Sequence, residues 1–563
     1  MNAAVDLLVR GTVVDVTAGE LVERAVAVDD GTVVGFGERP ADRVLEAAYV
    51  TPGLVDAHTH VEAAMVTLPQ YGAAVVPHGV TSVVHDPHEI ANVLGPEGVR
   101  AFCADAARTP LKPRLTVPSS VPATDLQDAG GAVDADAVAE LLELDRAVAL
   151  GEVMDLRAVL DGDDAVHAKL AAARDRGVTV DGHVPGVTDP SALYRLASHL
   201  DTDHESVTPA EARAKADAGF RVYLREGSTS RNLAALVDLV DDDEVDSRRL
   251  SLCTDDRNVV DLFERGGINV AVERAIELGV DPVTAVRLAT LHTAEAYGLP
   301  FGRVEPGAPA DLVLLSDLDS WAVEHVVVDG VVDPTVGVDP PTGSAVATDT
   351  VTFDPVTPSD LAIEHDVSGP VTVRVVSPVG SFRTEETRAS VPVEDEGASA
   401  GAGVLAGDCD ADVLPMAVIE RHGGPGSIGR GFVHNLGLDR GAIGTTVAHD
   451  AHNCLVAGVT HDAMARIANH LRAVGGGVAV FDPAIDGFTT LSLPVAGLVA
   501  AAPIDETARS FAAVVDAAAD IGLAVPGGLL ELTYLALEVI PALRLTNNGL
   551  VDVAAGEYVD VVV

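Results

Sequence analysis

The feature that most constrains this chain is a rhythm between Pro52 and Pro300, where short apolar runs ending in polar residues alternate with stretches rich in Ala, Arg and Glu. Apolar runs of strand length separated by helix-length segments build parallel sheets through βαβ units. Eight such runs end near His58, His85, Thr116, Glu152, His183, His204, Glu226 and Asp255. Eight units over about 250 residues match a closed barrel, with its chemistry at the C-terminal ends of the strands. The expected fold class is therefore α/β: a TIM-like (β/α)8 barrel over residues 51–305.

The flanks read differently. β-branched residues alternate with turn signals from Asp6 to Val16, from Ala25 to Gly35 and again from Ala310 to Val332. Such separated antiparallel strands suit one small composite β domain made of residues 1–50 and 306–335. A Pro/Asp/Thr/Gly-rich stretch from Asp333 to Asp349 reads as a linker. Residues 350–563 form a C-terminal domain, β-rich from Val351 to Val393 and α/β from Gly401 on, with a helix over Asp462–Val474 whose Ala, Val and Leu stripe is core.

Charge excludes some partners. Asp and Glu number 86 against 36 Lys and Arg, a net charge of -50, which repels phosphate backbones and anionic lipid surfaces. No nucleic-acid or membrane partner is expected. Only Lys112, Lys169 and Lys215 are lysines, and self-repulsion on this scale is tolerated mainly where salt screens it, so the surface reads as a halophile's. Four separated cysteines, Cys103, Cys253, Cys409 and Cys454, support neither a disulfide framework nor a zinc cluster. With no basic apolar leader, the expected home is the cytoplasm.

The chemistry concentrates at Pro52-Gly-Leu-Val-Asp-Ala-His-Thr-His60. On a strand, residues two apart share a face, so His58 and His60 point together into a barrel mouth as metal ligands. An isolated pair of this kind says little. Its weight comes from Glu152, His183, His204 and Asp255, which fall at the ends of later strands. Six N/O ligands suit a two-metal site, with Glu152 bridging because each of its oxygens can bind one ion. The absence of thiolate favours Mn or Fe(II), with Zn possible. Two cations sharing a water lower its pKa and generate a nucleophile for metal-assisted hydrolysis, and Asp255 can both bind metal and carry the proton.

Beyond the metal set, the motifs are Pro52 to Glu62, His85-Asp-Pro-His-Glu-Ile-Ala-Asn-Val-Leu-Gly95, Val117-Pro-Ser-Ser-Val-Pro-Ala-Thr124, Asp181-Gly-His-Val-Pro-Gly186, Cys253-Thr-Asp-Asp-Arg257 and Ala448-His-Asp-Ala-His-Asn453. Together they resemble the amidohydrolase superfamily and, more narrowly, the bacterial and archaeal adenine deaminase family, over essentially the whole chain. The resemblance implies hydrolysis of adenine to hypoxanthine and ammonia in purine salvage, with metals on His58, His60, Glu152, His183, His204 and Asp255. Glu62-Ala-Ala stands where the family has Glu-Ser-Ser, and Ser119-Ser stands where a cysteine is usual; neither change touches a ligand. The partners expected are adenine, water and further copies of the chain in a homo-oligomer.

Attack at C6 of adenine drives negative charge into the ring, so a proton donor near N1 is required; Asp255, Asp256, Glu89 and Glu205 are candidates. Glu89, His88, Arg225, Ser228 and Asp256 are expected to bind substrate, although Arg225 equally suits pairing with neighbouring charges. His449, Asp450, His452 and Asn453 form a polar cluster that suits either a hydrogen-bonded turn or a cover for the barrel mouth. Gly423 to Gly431 lacks the Lys-Ser/Thr ending of a phosphate loop and reads as a turn. A cyclic amidohydrolase of the dihydroorotase or hydantoinase kind is the rival within the superfamily. A catalytically silent barrel serving as an oligomeric scaffold is the rival outside it.

Overall fold

The computed structural model describes residues 4–335, 346–366, 369–380, 382–394 and 403–563; most of the linker read over Asp333–Asp349 lies outside them. The described residues fall into two compact units, one drawn from Met1–Pro87, Phe102–Ser120 and Asp134–Asp339, the other from His88–Ala101, Val121–Val133 and Pro340–Val563.

The first unit opens with β1 (Val5–Asp15), β2 (Glu20–Asp29), β3 (Thr32–Phe36) and β4 (Ala41–Pro52). After it come eight parallel strands: β5 (Leu54–Thr59), β6 (Val80–His85), β7 (Lys112–Val117), β8 (Ala147–Val153), β9 (Thr179–Gly182), β10 (Thr202–Asp203), β11 (Arg221–Arg225) and β12 (Leu250–Cys253). Each ends within two residues of the position the apolar runs suggested. β13 (Leu312–Asp317), β14 (Ala322–Val328) and β15 (Val331–Val332) then return to the opening strands in one sheet of order β15-β14-β13-β4-β1-β2-β3. Distant segments thus share a sheet because Val50, Leu312 and Leu314 bury one face with Val9 and Val26.

β5 to β9 pair in sequence, as do β10 to β12. Asp201 N–H donates to Val180 O at 2.8 Å to join the two arcs, and Asp255 N–H donates to His58 O at 2.9 Å to close the ring. The closure is reinforced where Asp56 accepts from the Thr254 N–H (3.0 Å) and hydroxyl (2.5 Å). β5 and β6 are buried along their entire length, the reason parallel strands covered on both faces read as unbroken apolar runs. Outer helices begin on side-chain caps: Asp163 accepts from Ala165 and Val166 N–H, and Thr208 from Glu211 N–H ahead of Pro209. Such caps satisfy the free N–H groups of a first helical turn.

Lys215, one of three lysines, has no exposed surface. Its Nζ sits 2.9 Å from Asp203 Oδ2 and 2.8 Å from Glu211 Oε1. Asp203 accepts in turn from Val184 N–H (3.0 Å) and the Ser206 hydroxyl (2.8 Å), and Glu211 from Gly186 N–H (2.9 Å). The triad therefore pins the loop after β9 to the end of β10, on either side of His183 and His204.

The second unit carries an eight-stranded sheet in the spatial order Arg383–Val391, Val371–Gly380, Ile428–His434, Val413–Ile419, Cys454–Gly458, Ala442–Thr445, Gly477–Asp482, Gly487–Ser492. The helix His461–Val474 covers it, burying Met464, Ile467, Ala468 and Leu471 at helical spacing against Ile419, Val456 and Ala479. Gly423, at φ 80°, lies in the connection between Val413–Ile419 and Ile428–His434. Glu538 is buried against Gln127 and the Thr124 hydroxyl, the latter at 2.8 Å. Burial pushes its carboxyl from the ordinary 4.5 up to about 7. Among the described residues, no helix is long and apolar enough to cross a membrane.

Two outcomes are expected. Lys215→Met leaves two buried carboxylates uncompensated and destabilises the barrel by about 3–5 kcal/mol, read as a lower urea midpoint; an unchanged midpoint would contradict the role. For Glu538, the folded state holds its proton more tightly than the unfolded chain, so its stabilising contribution is complete below about 4.5 and is lost as pH rises through about 7. The loss is on the order of 3 kcal/mol. Glu538→Gln should flatten that window in a pH series of melting curves, and an identical pH slope in both proteins would contradict it.

Candidate metal and active site

The barrel brings together the six residues singled out as ligands. His58, His60, Glu152, His204 and Asp255 are buried and His183 is partly so. His58 Nε2 and His60 Nε2 lie 3.1 Å apart, and Asp255 Oδ1 lies 3.7 Å from the first and 3.2 Å from the second. Glu152 faces two ways. Its Oε1 is 3.4 Å from His60 Nε2, while its Oε2 is 2.9 Å from His183 Nδ1 and 3.4 Å from His204 Nε2. The His58 and His204 rings stack, with centroids 4.2 Å apart.

The donors fit divalent cations. His60 Nδ1 sits 3.0 Å from the Asp86 carbonyl, so the Nδ1–H donates outward, the usual outer-shell arrangement of a ligating histidine; Nε2 faces Glu152 and Asp255, whose carboxylates outweigh burial and hold the ring well above its ordinary value, and a divalent ion would take the place of the Nε2 proton. Burial, with His204 and His60 beside it, holds His58 well below its ordinary value and therefore neutral. His58–His60–Asp255 and His58–Glu152–His204 are each groups whose ligand atoms lie within 4.8 Å of one another. An N/O donor set of this kind suits Mn, Fe(II) or Zn.

Around these six stands a shell that the strand-end pattern does not reveal. The Glu152 backbone is clamped from both sides: its N–H donates to Asp86 Oδ2 at 2.9 Å, and its carbonyl accepts from the hydroxyls of Ser119 (2.7 Å) and Ser120 (3.2 Å). Asn232 donates to the His204 carbonyl at 3.2 Å and accepts from Arg225 N–H at 2.6 Å. Asp255 has φ 57°, in the left-handed region that an aspartate tolerates better than most residues. That turn swings its carboxylate back toward His60.

The expected substrate-binding residues divide. Arg225 is committed to Glu205 and Asp255 through ion pairs and to the Ser230 hydroxyl at 2.9 Å, and it keeps Asp255 ionised against the burial that would raise its pKa. The Ser228 hydroxyl donates to Asp261 at 2.6 Å and accepts from Asn258 N–H at 2.9 Å. Asp256 is half-buried beside Asp255. His88 and Glu89 belong to the second unit, where Glu89 meets His449 and His452.

Residues 49–332 match the amidohydrolase family and residues 381–557 match the adenine deaminase C-terminal domain. A protein named adenine deaminase from Desulfatibacillum aliphaticivorans is 37% identical over 98% of this chain and 96% of its own. Another of that name from Salinibacter ruber is 37% identical over 98% of both chains. Among solved structures, N-acetyl-D-glucosamine-6-phosphate deacetylase from Mycobacterium smegmatis aligns with 58% of this chain and 99% of its own at 21% identity, with a TM-score of 0.44. Family matches over both halves and full-length relatives above one-third identity place this chain in the adenine deaminase family of the amidohydrolases.

Proposed function

We propose that this chain hydrolyses adenine to hypoxanthine and ammonia in purine salvage, in the cytoplasm and as a homo-oligomer. The observation that carries the reading is the two-sided placement of Glu152, one oxygen toward His60 and the other toward His183 and His204. His58, His60, Glu152, His183, His204 and Asp255 would hold two divalent ions, manganese or ferrous iron first and zinc third. When bound, such ions act as Lewis acids that ionise water near neutral pH.

The chain's own groups complete the chemistry. Asp255 carries a water proton, so that hydroxide joins C6 and the proton reaches N1 of the ring. Glu205, which shares the Arg225 guanidinium with Asp255 and is held ionised by it, is proposed to accept a hydrogen bond from the N1–H that forms. Collapse breaks the bond from C6 to the exocyclic nitrogen. The hydroxyl proton leaves with that nitrogen as ammonia, and the ring retains C6=O and N1–H. Ser228 and Asp256 are proposed to read the remaining purine edge, and Arg225 to act through Asp255.

Metal-loaded protein incubated with adenine is expected to release ammonia. Glu152→Ala should lose metal and activity together, with kcat/KM falling by about a thousandfold or more. Wild-type metal content and rate in that variant would contradict the site. Turnover of a cyclic amide such as dihydroorotate in place of adenine would overturn the substrate.

A further inference from the structure

Strand β8 leaves its neighbours just where Glu152 stands. Its pairing with β7 runs only to Leu150 opposite Val117, and its pairing with β9 passes from Leu150–Val180 to Val153–Gly182, so neither register includes Gly151 or Glu152. β7 is followed by Pro118, which has no N–H to offer a neighbouring strand. Side chains make the bonds instead. The Ser119 and Ser120 hydroxyls donate to the Glu152 carbonyl at 2.7 and 3.2 Å, and the Ser120 oxygen accepts from the Met154 N–H at 3.2 Å. Lys169 Nζ anchors the Ser119 backbone, 2.6 Å from its carbonyl.

At its own N–H, Glu152 donates to Asp86 Oδ2 at 2.9 Å. That approach requires Gly151, because a Cβ there would lie 2.2 Å from the same oxygen. The Asp86 carbonyl faces His60 Nδ1 at 3.0 Å, so one residue ties the His60 ring to the Glu152 backbone.

The two proposed ion positions do not depend on Glu152 equally. His58, His60 and Asp255 bring three donors within 4.8 Å of one another without it. Beside His183 and His204, Glu152 Oε2 is the facing oxygen, at 2.9 and 3.4 Å. The other acid near His204, Glu205, is already paired with Arg225. Metal–ligand distances tolerate only about 0.2 Å, so a loosened Glu152 would release the position beside His183 and His204 first.

We propose that Ser119 and Ser120 are positioning residues: their hydroxyls take the place of strand pairing at Glu152 and hold its carboxylate within reach of the ion beside His183 and His204. The inference rests on the two-metal reading above.

Manganese binding to the metal-free full-length protein tests it, followed through the electron paramagnetic resonance signal of the free ion. Wild-type protein is expected to take up two ions. With Ser119→Ala and Ser120→Ala combined, one ion should bind as before and the other about 10- to 100-fold more weakly, the usual cost of losing an outer-shell hydrogen bond. Ser119→Thr combined with Ser120→Ala returns one hydroxyl and should recover most of that loss. Deamination by the double alanine variant should need correspondingly more manganese and approach the wild-type kcat once it is supplied. A general loosening of the barrel would weaken both ions alike and would not respond to the returned hydroxyl. If the double variant does not fold, Ser119→Ala alone keeps the Ser120 bond and reads the same one-ion loss, at the lower end of that range. Two ions held as tightly as in the wild type, or both weakened equally, would overturn the proposal. Fewer than two ions in the wild type would overturn the two-metal reading beneath it, whereas two ions without adenine turnover would overturn the substrate alone.

Discussion

The site depends on closure of the first barrel strand against the last. Asp56 and Thr254, 198 residues apart in sequence, are bound side chain to side chain and side chain to backbone. One step further along, the Asp255 N–H donates to the His58 carbonyl. Without that seam, Asp255 and the pair His58 and His60 would sit at opposite ends of an open sheet. With it, the proposed ligands carried by the first and last strands face those carried by the fourth, fifth and sixth, and Glu152 lies between them.

Concentrating carboxylates at such a point is electrostatically costly, all the more in a chain of net charge -50. The structure offsets the cost locally. Arg225 is shared by Asp255 and Glu205, and Lys215 by Asp203 and Glu211. Backbone N–H groups fill other acceptor sites, as for Asp86 at Glu152 and Asp203 at Val184. These two cations lie inside, where a carboxylate without a partner is most destabilising.

Much of this was legible in the sequence. The period of two in His58–Thr59–His60 and the polar ends of the apolar runs follow from strand geometry, and they mark both the barrel and its proposed ligands. The supporting shell was not legible, because its contacts join positions that no local pattern links. Ser119 reaches Glu152 across 33 residues and Glu89 reaches His452 across 363. Arg225 illustrates the limit. Its place at a strand end suggested substrate binding, whereas its ion pairs make it the partner of a proposed ligand. Lys215 had one visible signal, its rarity, but nothing in its surroundings distinguished a buried triad from an exposed helix face.

The most direct test is anomalous diffraction from crystals of the manganese-loaded protein. Two peaks are expected per chain, both enclosed by His58, His60, Glu152, His183, His204 and Asp255, with the Glu152 carboxylate between them. A single peak, or peaks lying away from these six side chains, would contradict the two-metal site on which the proposed chemistry rests.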